Sequence, residues 1–395
     1  MSPLALFFLS VIIARSLGPV VQGQFSTAKA LFDLLVAFGS FGFPQSVIFA
    51  INRYGVSQIQ LYRDAVLYSI VVILLLLLFL SILPNWQDQT FLFSLLFAIG
   101  AAGFVLTHIW RGILLTIDDG IFFNLITIAP AISLTLSVGI FFGLLHKFDV
   151  QAISYVFGLA GLSSIFFSYL LFRNAKNKNL KGVKPNYSKL ILNGMDVFIQ
   201  AVAMAGQTYY FLFYLAKTQG HNYSGYFSVA LIAFQAFLLP LQMVSPLILN
   251  TWSKEKKQAT TIGFGISNRV YISCAITFIL IVVFFGGDVV YFLYGLTFDP
   301  AISGIKITLL SVLPSVLIRI IALRLASLGA FRQNSVVAII RLFMAVLILH
   351  VGFWWEFSFF NVATIAAIAW FLAEVSGAIL AWFLLKQASS PVKFY

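Results

Sequence analysis

Between Asp64 and Pro84 the chain reads AVLYSIVVILLLLLFLSIL (residues 65–83), a run without a single charge. At 1.5 Å per residue such a helix covers about 28 Å, close to the roughly 30 Å of a bilayer's hydrocarbon. A helix on a water-facing domain would carry polar residues along one face, and this run offers only Tyr68, Ser69 and Ser81. The rest of the 395-residue chain agrees, with 61% hydrophobic and only 9% charged residues. Soluble domains carry about 25% charged residues. Twenty-four basic and twelve acidic side chains cannot wet the surface of a soluble fold this large. Helices are expected rather than barrel strands, because barrel strands alternate polar and apolar residues and these runs do not.

Working outward from that run, apolar stretches bounded by charge, Pro and Gly fall at 3–14, 25–51, 63–83, 90–116, 121–145, 152–172, 190–216, 224–251, 262–286, 302–326, 335–353 and 359–385. The expectation is therefore an all-α polytopic membrane protein of about twelve transmembrane helices. The first stretch rises only about 18 Å, so that helix is expected to be truncated at its N-terminus. Met1-Ser2-Pro3 offers no basic leader, which argues against a cleaved signal peptide.

Lys and Arg set the orientation. Eighteen of them, from Arg53 and Arg63 through the cluster Arg173–Lys189 to Lys386 and Lys393, fall on one set of loops. Arg341 is counted with that set, and Arg319 is left inside a span. The other set holds Arg15, Lys29, Lys147, Lys217 and Lys306. Basic loops stay inside, so both termini and the long middle segment are expected in the cytoplasm. The net charge of +12 is dispersed over short loops, which argues against a nucleic-acid partner. One cysteine, Cys274, and four scattered histidines, His108, His146, His221 and His350, give no disulfide, no metal-ligand spacing and no cofactor motif. The longest hydrophilic stretch is Arg173–Lys189, too short for a soluble catalytic domain, so the chain is not expected to be an enzyme. The pair Asp118-Asp119 has no further acid, His or basic cluster beside it and reads as a solvated loop.

The basic stretch divides the chain into residues 1–172, a linker 173–189, and residues 190–395. The two halves match at an offset of 202 residues: Ala14-Arg15 on Ala216-Lys217, Gly18 on Gly220, GQFS (Gly23–Ser26) on GYFS (Gly225–Ser228), then Phe32 on Phe234 and Pro44 on Pro246. Two six-helix lobes entering from the same side are parallel repeats, an architecture that transporters use with substrate between the repeats.

Polar residues inside spans are costly and mark a partner or a cavity. Lys29 and Asp33 are four apart in span 2 and can pair across one turn. Under the repeat, Asp33 falls on Gln235 and Ser40 on Gln242, so both halves carry a polar stripe on the equivalent helix face. In span 7, Asn193, Asp196, Gln200 and Gln207 continue through Tyr210 and Tyr214. Span 10 holds Arg319 beyond Pro314; span 4 ends near Arg111; span 12 holds Glu374. The candidate anion contacts are Lys29, Arg111, Arg319 and Lys217. Sugar or cavity contacts are Asn193, Gln200, Gln207, Gln235 and Gln242. Asp33, Asp196 and Glu374 are the candidates for ion coupling. Bends are expected at Gly39–Pro44 and at Pro240–Pro246, and Gly139-x-x-x-Gly143 is expected to admit a close helix neighbour.

The segments ARSLGP (Ala14–Pro19), GQFS (Gly23–Ser26) and GFP (Gly42–Pro44), with GYFSVA (Gly225–Ala230) in the second half, resemble the signature of the polysaccharide transporter family. These are the Wzx-type O-antigen flippases of the multidrug/oligosaccharidyl-lipid/polysaccharide exporter superfamily. Many of its members carry an Asp late in helix 7, where this chain has Gln207-Thr208. The resemblance implies two six-helix lobes around a central cavity in the bacterial inner membrane. It also implies an undecaprenyl-pyrophosphate-linked oligosaccharide as substrate, moved to the outer leaflet by alternating access. Membrane lipid, a polysaccharide polymerase and chain-length proteins would be the other partners. An exporter of drugs on the same fold is the main alternative; a membrane-embedded polymerase or ligase is weaker, because every outer loop is short.

Overall fold

The computed structural model of the chain describes residues 2–82, 91–117, 121–144, 150–174, 182–254, 287–327, 330–354 and 361–389. Twelve α-helices are named here: α1 (Ser2–Ser40), α2 (Phe43–Tyr54), α3 (Gln58–Ile82), α4 (Phe91–Ile117), α5 (Ile121–Val138), α6 (Val150–Asn174), α7 (Tyr187–Thr218), α8 (His221–Lys254), α9 (Ile302–Leu310), α10 (Val312–Ser327), α11 (Phe331–Trp354) and α12 (Val362–Ser389). A π-helical turn, Gly139–Leu144, prolongs α5, and a 3-10 turn, Leu296–Ala301, leads into α9. Seven helices among the described residues are long and apolar enough to cross a membrane, and the bent pair α1–α2 makes an eighth. Span 9, the Asp118-Asp119 pair, Cys274 and most of the basic linker lie outside the described residues.

Within α1 two helical stretches meet at a kink, with no longer loop between the first two spans. Only Gly18 leaves the helical region, with φ 79° and ψ −179°, a conformation essentially confined to glycine. Its repeat counterpart Gly220, at the turn between α7 and α8, also has positive φ, at 103°. Gly18→Ala is expected to cost about 1–3 kcal/mol through backbone strain alone, since a methyl there would touch nothing within 4 Å. A thermal melt of the solubilised protein checks this.

Those matched corners meet. A methyl on Gly23 would collide with the His221 carbonyl oxygen and lie 2.6 Å from the Ser224 hydroxyl; one on Gly225 would collide with the Pro19 carbonyl oxygen. Pro19 and His221 are themselves related by the offset of 202. Each glycine therefore packs on the counterpart of the carbonyl that its twin packs on.

Further along, α1 breaks at Phe41-Gly42, where both residues take positive φ (44° and 69°), and α2 leaves at 40°. This is the bend expected at Gly39–Pro44. The second repeat differs: α8 runs as a single helix from His221 to Lys254, past Pro240 and Pro246. The residue matching Gly42 is Val244, and a β-branched residue does not adopt the left-handed conformation that makes the first break.

Of the Gly139-x-x-x-Gly143 pattern, the surroundings of Gly143 lie outside the described residues. Gly139 opens a π-turn and a methyl on it would meet nothing within 4 Å. The tight seam is between α4 and α6, where Gly100 faces the Phe157 backbone and Gly103 faces Gly161. Hydroxyls continue the same seam, with Thr107 3.0 Å from Ser164 and accepting from Ser168 at 3.3 Å. Backbones approach so closely only where no side chain intervenes.

The chain forms two compact units that cut across the six-plus-six division. One comprises Met1–Leu6 with Ala28–Ala205, the other Phe7–Thr27 with Gly206–Tyr395. The reason is visible in the contacts. At the Gly18 end, α1 packs on α8 through Gly23 and Gly225. Residues 187–205 of α7 pack instead on the first repeat, Gly194 against the backbone of Phe41 and Gly42, and the Phe198 ring 4.5 Å from Phe41. Just before α7, Val183 forms a parallel bridge with Val56, Ser57 N–H donating to Val183 O at 3.1 Å and Val183 N–H to Gly55 O at 3.0 Å. The Tyr187 hydroxyl donates to Asp64. Burial, reinforced by that bond, holds the phenol above its ordinary pKa.

One orientation marker is displaced. Arg341, assigned by its charge to an inner loop, lies inside α11, 7% exposed, and pairs with Glu374 of α12. Its charge is neutralised in the protein interior, so it says nothing about topology.

Candidate functional site

The first unit gathers charge around one face of α1. Lys29 Nζ lies 2.6 and 2.5 Å from the two carboxylate oxygens of Asp33, one turn on. Asp33 keeps about half of its side chain exposed, Lys29 a fifth. Beside this pair runs α4, which brings His108 and Arg111, three residues apart and both half-buried. The charges of Lys29 and Arg111 both reach the His108 ring. Lys29 and Arg111 thus share one neighbourhood with Asp33.

What positions this group is packing behind it. Phe32 is fully buried, stacked on Phe157 at 4.4 Å and edge-on to Phe97 and Phe104 at 5.4 and 5.0 Å. These rings lock α1 against α4 and α6. The glycine seam then fixes α4 itself, and Gly112, next to Arg111, lies against the Pro44 carbonyl. The cations are therefore held on rigid helices rather than on loops.

Lys29, Asp33 and Arg111 were each legible as candidates, and the structure brings them together. His108 was missed, although its spacing of three from Arg111 puts both on one helical face. Asp196 and Gln200 lie half-buried on α7 in the same unit. The side chains of Asn193 and Gln242 fall outside the described residues.

The second unit holds the other candidates. Gln207 is 1% exposed and its Nε2 has no hydrogen-bond partner. Gln235 is exposed on α8, and Arg319 half-buried on α10. Lys217 sits near the end of α7, 6.0 Å above the Phe213 ring. Tyr210 and Tyr214 stack at 5.9 Å, and Tyr210 OH lies 3.1 Å from His350 Nε2, whose Nδ1 is 2.9 Å from the Val346 carbonyl. A carbonyl only accepts, so Nδ1 carries the hydrogen and Tyr210 donates to Nε2.

Glu374 is fully buried, and both its oxygens are engaged. Arg341 takes one, and the Ser315 hydroxyl donates to the other at 2.6 Å. Arg341 is the second residue that sequence reasoning missed. The apolar run 335–353 already enclosed it, which was the available signal.

No protein-family model matches the sequence, and no curated protein matches it. Solved structures do resemble the fold. The chain is similar to an inward-facing multidrug resistance MATE family transporter of the MOP superfamily (TM-score 0.73, 12% identity, covering 100% of this chain and 96% of that one). An outward-facing MATE structure gives a TM-score of 0.72 at 16% identity, covering 99% and 92%. The lipid II flippase MurJ in an inward closed conformation gives 0.71 at 15% identity, covering 98% and 86%. At these identities the likeness is one of fold: an all-helical membrane architecture of about twelve helices.

Proposed function

We propose that the chain is a flippase for an undecaprenyl-pyrophosphate-linked oligosaccharide, moving the headgroup from the cytoplasmic to the outer leaflet of a bacterial inner membrane by alternating access. The observation that carries this reading is the pair of cations, Lys29 and Arg111, that rigid helices bring to one place beside Asp33. A pyrophosphate cannot enter hydrocarbon unaided, and a guanidinium fork binds its oxygens bidentately. Asp33 holds Lys29 in place of the anion until the anion displaces it. In the second unit, Arg319 and Lys217 are proposed to contribute charge in the same way. Sugar hydroxyls would meet Asn193, Gln200, Gln207, Gln235 and Gln242.

The fold shared with MurJ supports a lipid-linked substrate, by analogy of architecture. No Walker-type phosphate loop occurs in the sequence. Outward movement of each negative charge gains about 2.3 kcal/mol per 100 mV of inside-negative potential. Any further coupling is assigned to Asp33, Asp196 or Glu374. The reading includes cytoplasmic termini, no enzymatic step, and a polymerase and chain-length proteins as downstream partners.

Arg111→Ala and Lys29→Ala are each expected to slow flipping by about tenfold or more, the worth of a charge-assisted hydrogen bond of about 1.5–3 kcal/mol. Lys29→Arg should retain most activity. Flipping of a fluorescent undecaprenyl-pyrophosphate oligosaccharide in proteoliposomes measures this. Full activity in both alanine variants would remove the cluster from the substrate path. The second reading, drug export, is favoured by the MATE structures of the same fold. It requires uptake of cationic dyes into inverted vesicles, which the fixed cations Lys29 and Arg111 oppose.

A further inference from the structure

In the second unit, α9 and α10 run beside α12 in a single register. A methyl on Gly304 would lie 3.2 Å from the Ala363 carbonyl oxygen, and one on Gly377 would lie 3.1 Å from Ile318. Between them, Ser315 bonds Glu374 at 2.6 Å. All three pairs are 59 residues apart, as the bonded pair is. The seam therefore uses positions 304, 308, 311, 315 and 318 on one side and 363, 367, 370, 374 and 377 on the other. Steps of four and three alternate, the pattern of helices packed side by side. Thr308 thus stands level with Ala367, and Ser311 with Trp370.

These two layers are polar and unsatisfied. Thr308 and Ser311 are fully buried, and neither hydroxyl has a hydrogen-bond partner among the described residues. The Trp370 indole N–H has none either, its ring buried among Phe211, Phe234 and Phe227 at 5.5, 6.0 and 6.3 Å. Gln207, one turn before Phe211 on α7, adds a buried Nε2 without a partner. Buried hydroxyls elsewhere behave differently: Thr107 and Ser137 bond the carbonyl four residues back. The span also breaks in this layer. Pro314 denies the Leu310 carbonyl its helical donor, and Ser311 separates α9 from α10. Buried polar groups are nearly always hydrogen-bonded, and ordered water is one means by which broken membrane helices satisfy theirs.

We propose that Thr308, Ser311, Trp370 and Gln207 form a water-binding site sealed inside the second unit, at the break between α9 and α10. The donor set selects the ligand. Two N–H groups need an acceptor, which a cation cannot be. An anion would lack a counter-charge, because Arg341 is already paired with Glu374. A water accepts two hydrogen bonds and donates two, matching two N–H groups and two hydroxyl oxygens, and buried waters typically make about three such bonds. The site lies one turn nearer the Asn361 end than Glu374, whose oxygens Arg341 and Ser315 already occupy. It is independent of any substrate.

The test begins with the unaltered protein in detergent. X-ray radiolysis of a bound water produces radicals that oxidise the side chains touching it, however deeply these are buried. Trp110 is the control, equally buried but with its Nε1 donating to the Tyr62 carbonyl at 3.3 Å. Trp370 is expected to be oxidised several-fold faster than Trp110, and more slowly in Ser311→Ala and Thr308→Val. Equal rates for the two tryptophans would overturn the site. Thermal melting supplies a second readout with opposite signs. A hydroxyl bonded to water makes Ser311→Ala melt lower than the parent. A bare buried hydroxyl is itself a cost, so a higher melting temperature in Ser311→Ala would overturn the proposal. Bromide that raises the melting temperature of the parent but not of Ser311→Ala would assign the site to an anion and overturn water as its ligand. Neither readout involves flipping, so failure of the substrate assignment and failure of this site are separate results.

Discussion

Truncating Arg341 to alanine is expected to remove about 3–5 kcal/mol of stability and leave little folded protein in the membrane. Glu374 is wholly shut away, its two oxygens taken by Arg341 and by Ser315 at 2.6 Å. Without the arginine, a carboxylate would stand buried next to a single hydroxyl. An apolar cluster of Ile318, Ile321, Leu325, Val337 and Ala381 packs α10, α11 and α12 together. The arginine's path is equally specific. Its aliphatic stem crosses Gly377, and a methyl there would collide with Arg341 Cγ and sit 3.1 Å from Ile318. Gly377→Ala should therefore weaken the pair from the side. Removing both charges at once, in Arg341→Met with Glu374→Gln, should recover most of the loss, because what destabilises is the orphaned charge. Thermal melting in detergent, followed by size exclusion, distinguishes these outcomes. A single alanine variant as stable as the parent would show the pair to be dispensable.

Gly161→Leu is the substitution expected to damage the first unit most. The α4–α6 seam has Gly100 against the Phe157 backbone and Gly103 against Gly161, while a methyl on Gly161 would lie 2.5 Å from the Gly100 Cα. These neighbours are backbone atoms of a second helix and cannot swing aside. The helices would have to part, losing the edge-on Phe97–Phe157 contact and the Thr107–Ser164 bond. Overpacking ordinary cores costs about 1–3 kcal/mol, and a leucine here should exceed the top of that range. Thr107→Val, by contrast, removes two interhelical hydrogen bonds worth about 0.6 kcal/mol each. Because α4 carries His108 and Arg111, the leucine variant should lose flipping along with its melting transition. A well-folded, active Gly161→Leu protein would contradict this account of the seam.

Much of this was written in the sequence, because the relevant physics is local or periodic. Uncharged runs long enough for a bilayer fix the helices, and a spacing of four fixes the Lys29–Asp33 pair before any tertiary contact is known. The repeat was legible because the second half keeps Gly18, Gly23 and Ser26 as Gly220, Gly225 and Ser228. What the sequence hides is partnership across helices. His108 gains meaning only when α4 lies beside α1. Arg341 was read as a loop marker because charge normally avoids the bilayer, and its carboxylate lies 33 residues away. Gly139-x-x-x-Gly143 and the Gly100, Gly103, Gly161 set are both small-residue patterns, and pattern alone does not say which faces a neighbour. The interleaving of the two repeats at α1 and α7 is likewise invisible, since it depends on which backbones come to touch.

The reciprocal contact at the corners, Gly23 on the His221 carbonyl and Gly225 on the Pro19 carbonyl, has the form of an isologous interface, in which one patch recognises its own image. A gene encoding a single repeat would have presented that patch to a second copy of itself. Before duplication joined the copies, such an ancestor would have worked as a symmetric homodimer. Fusion would have freed each side to drift, and the repeats now differ at Asp33 against Gln235 and Gly42 against Val244, while both keep the glycines at which the corners touch.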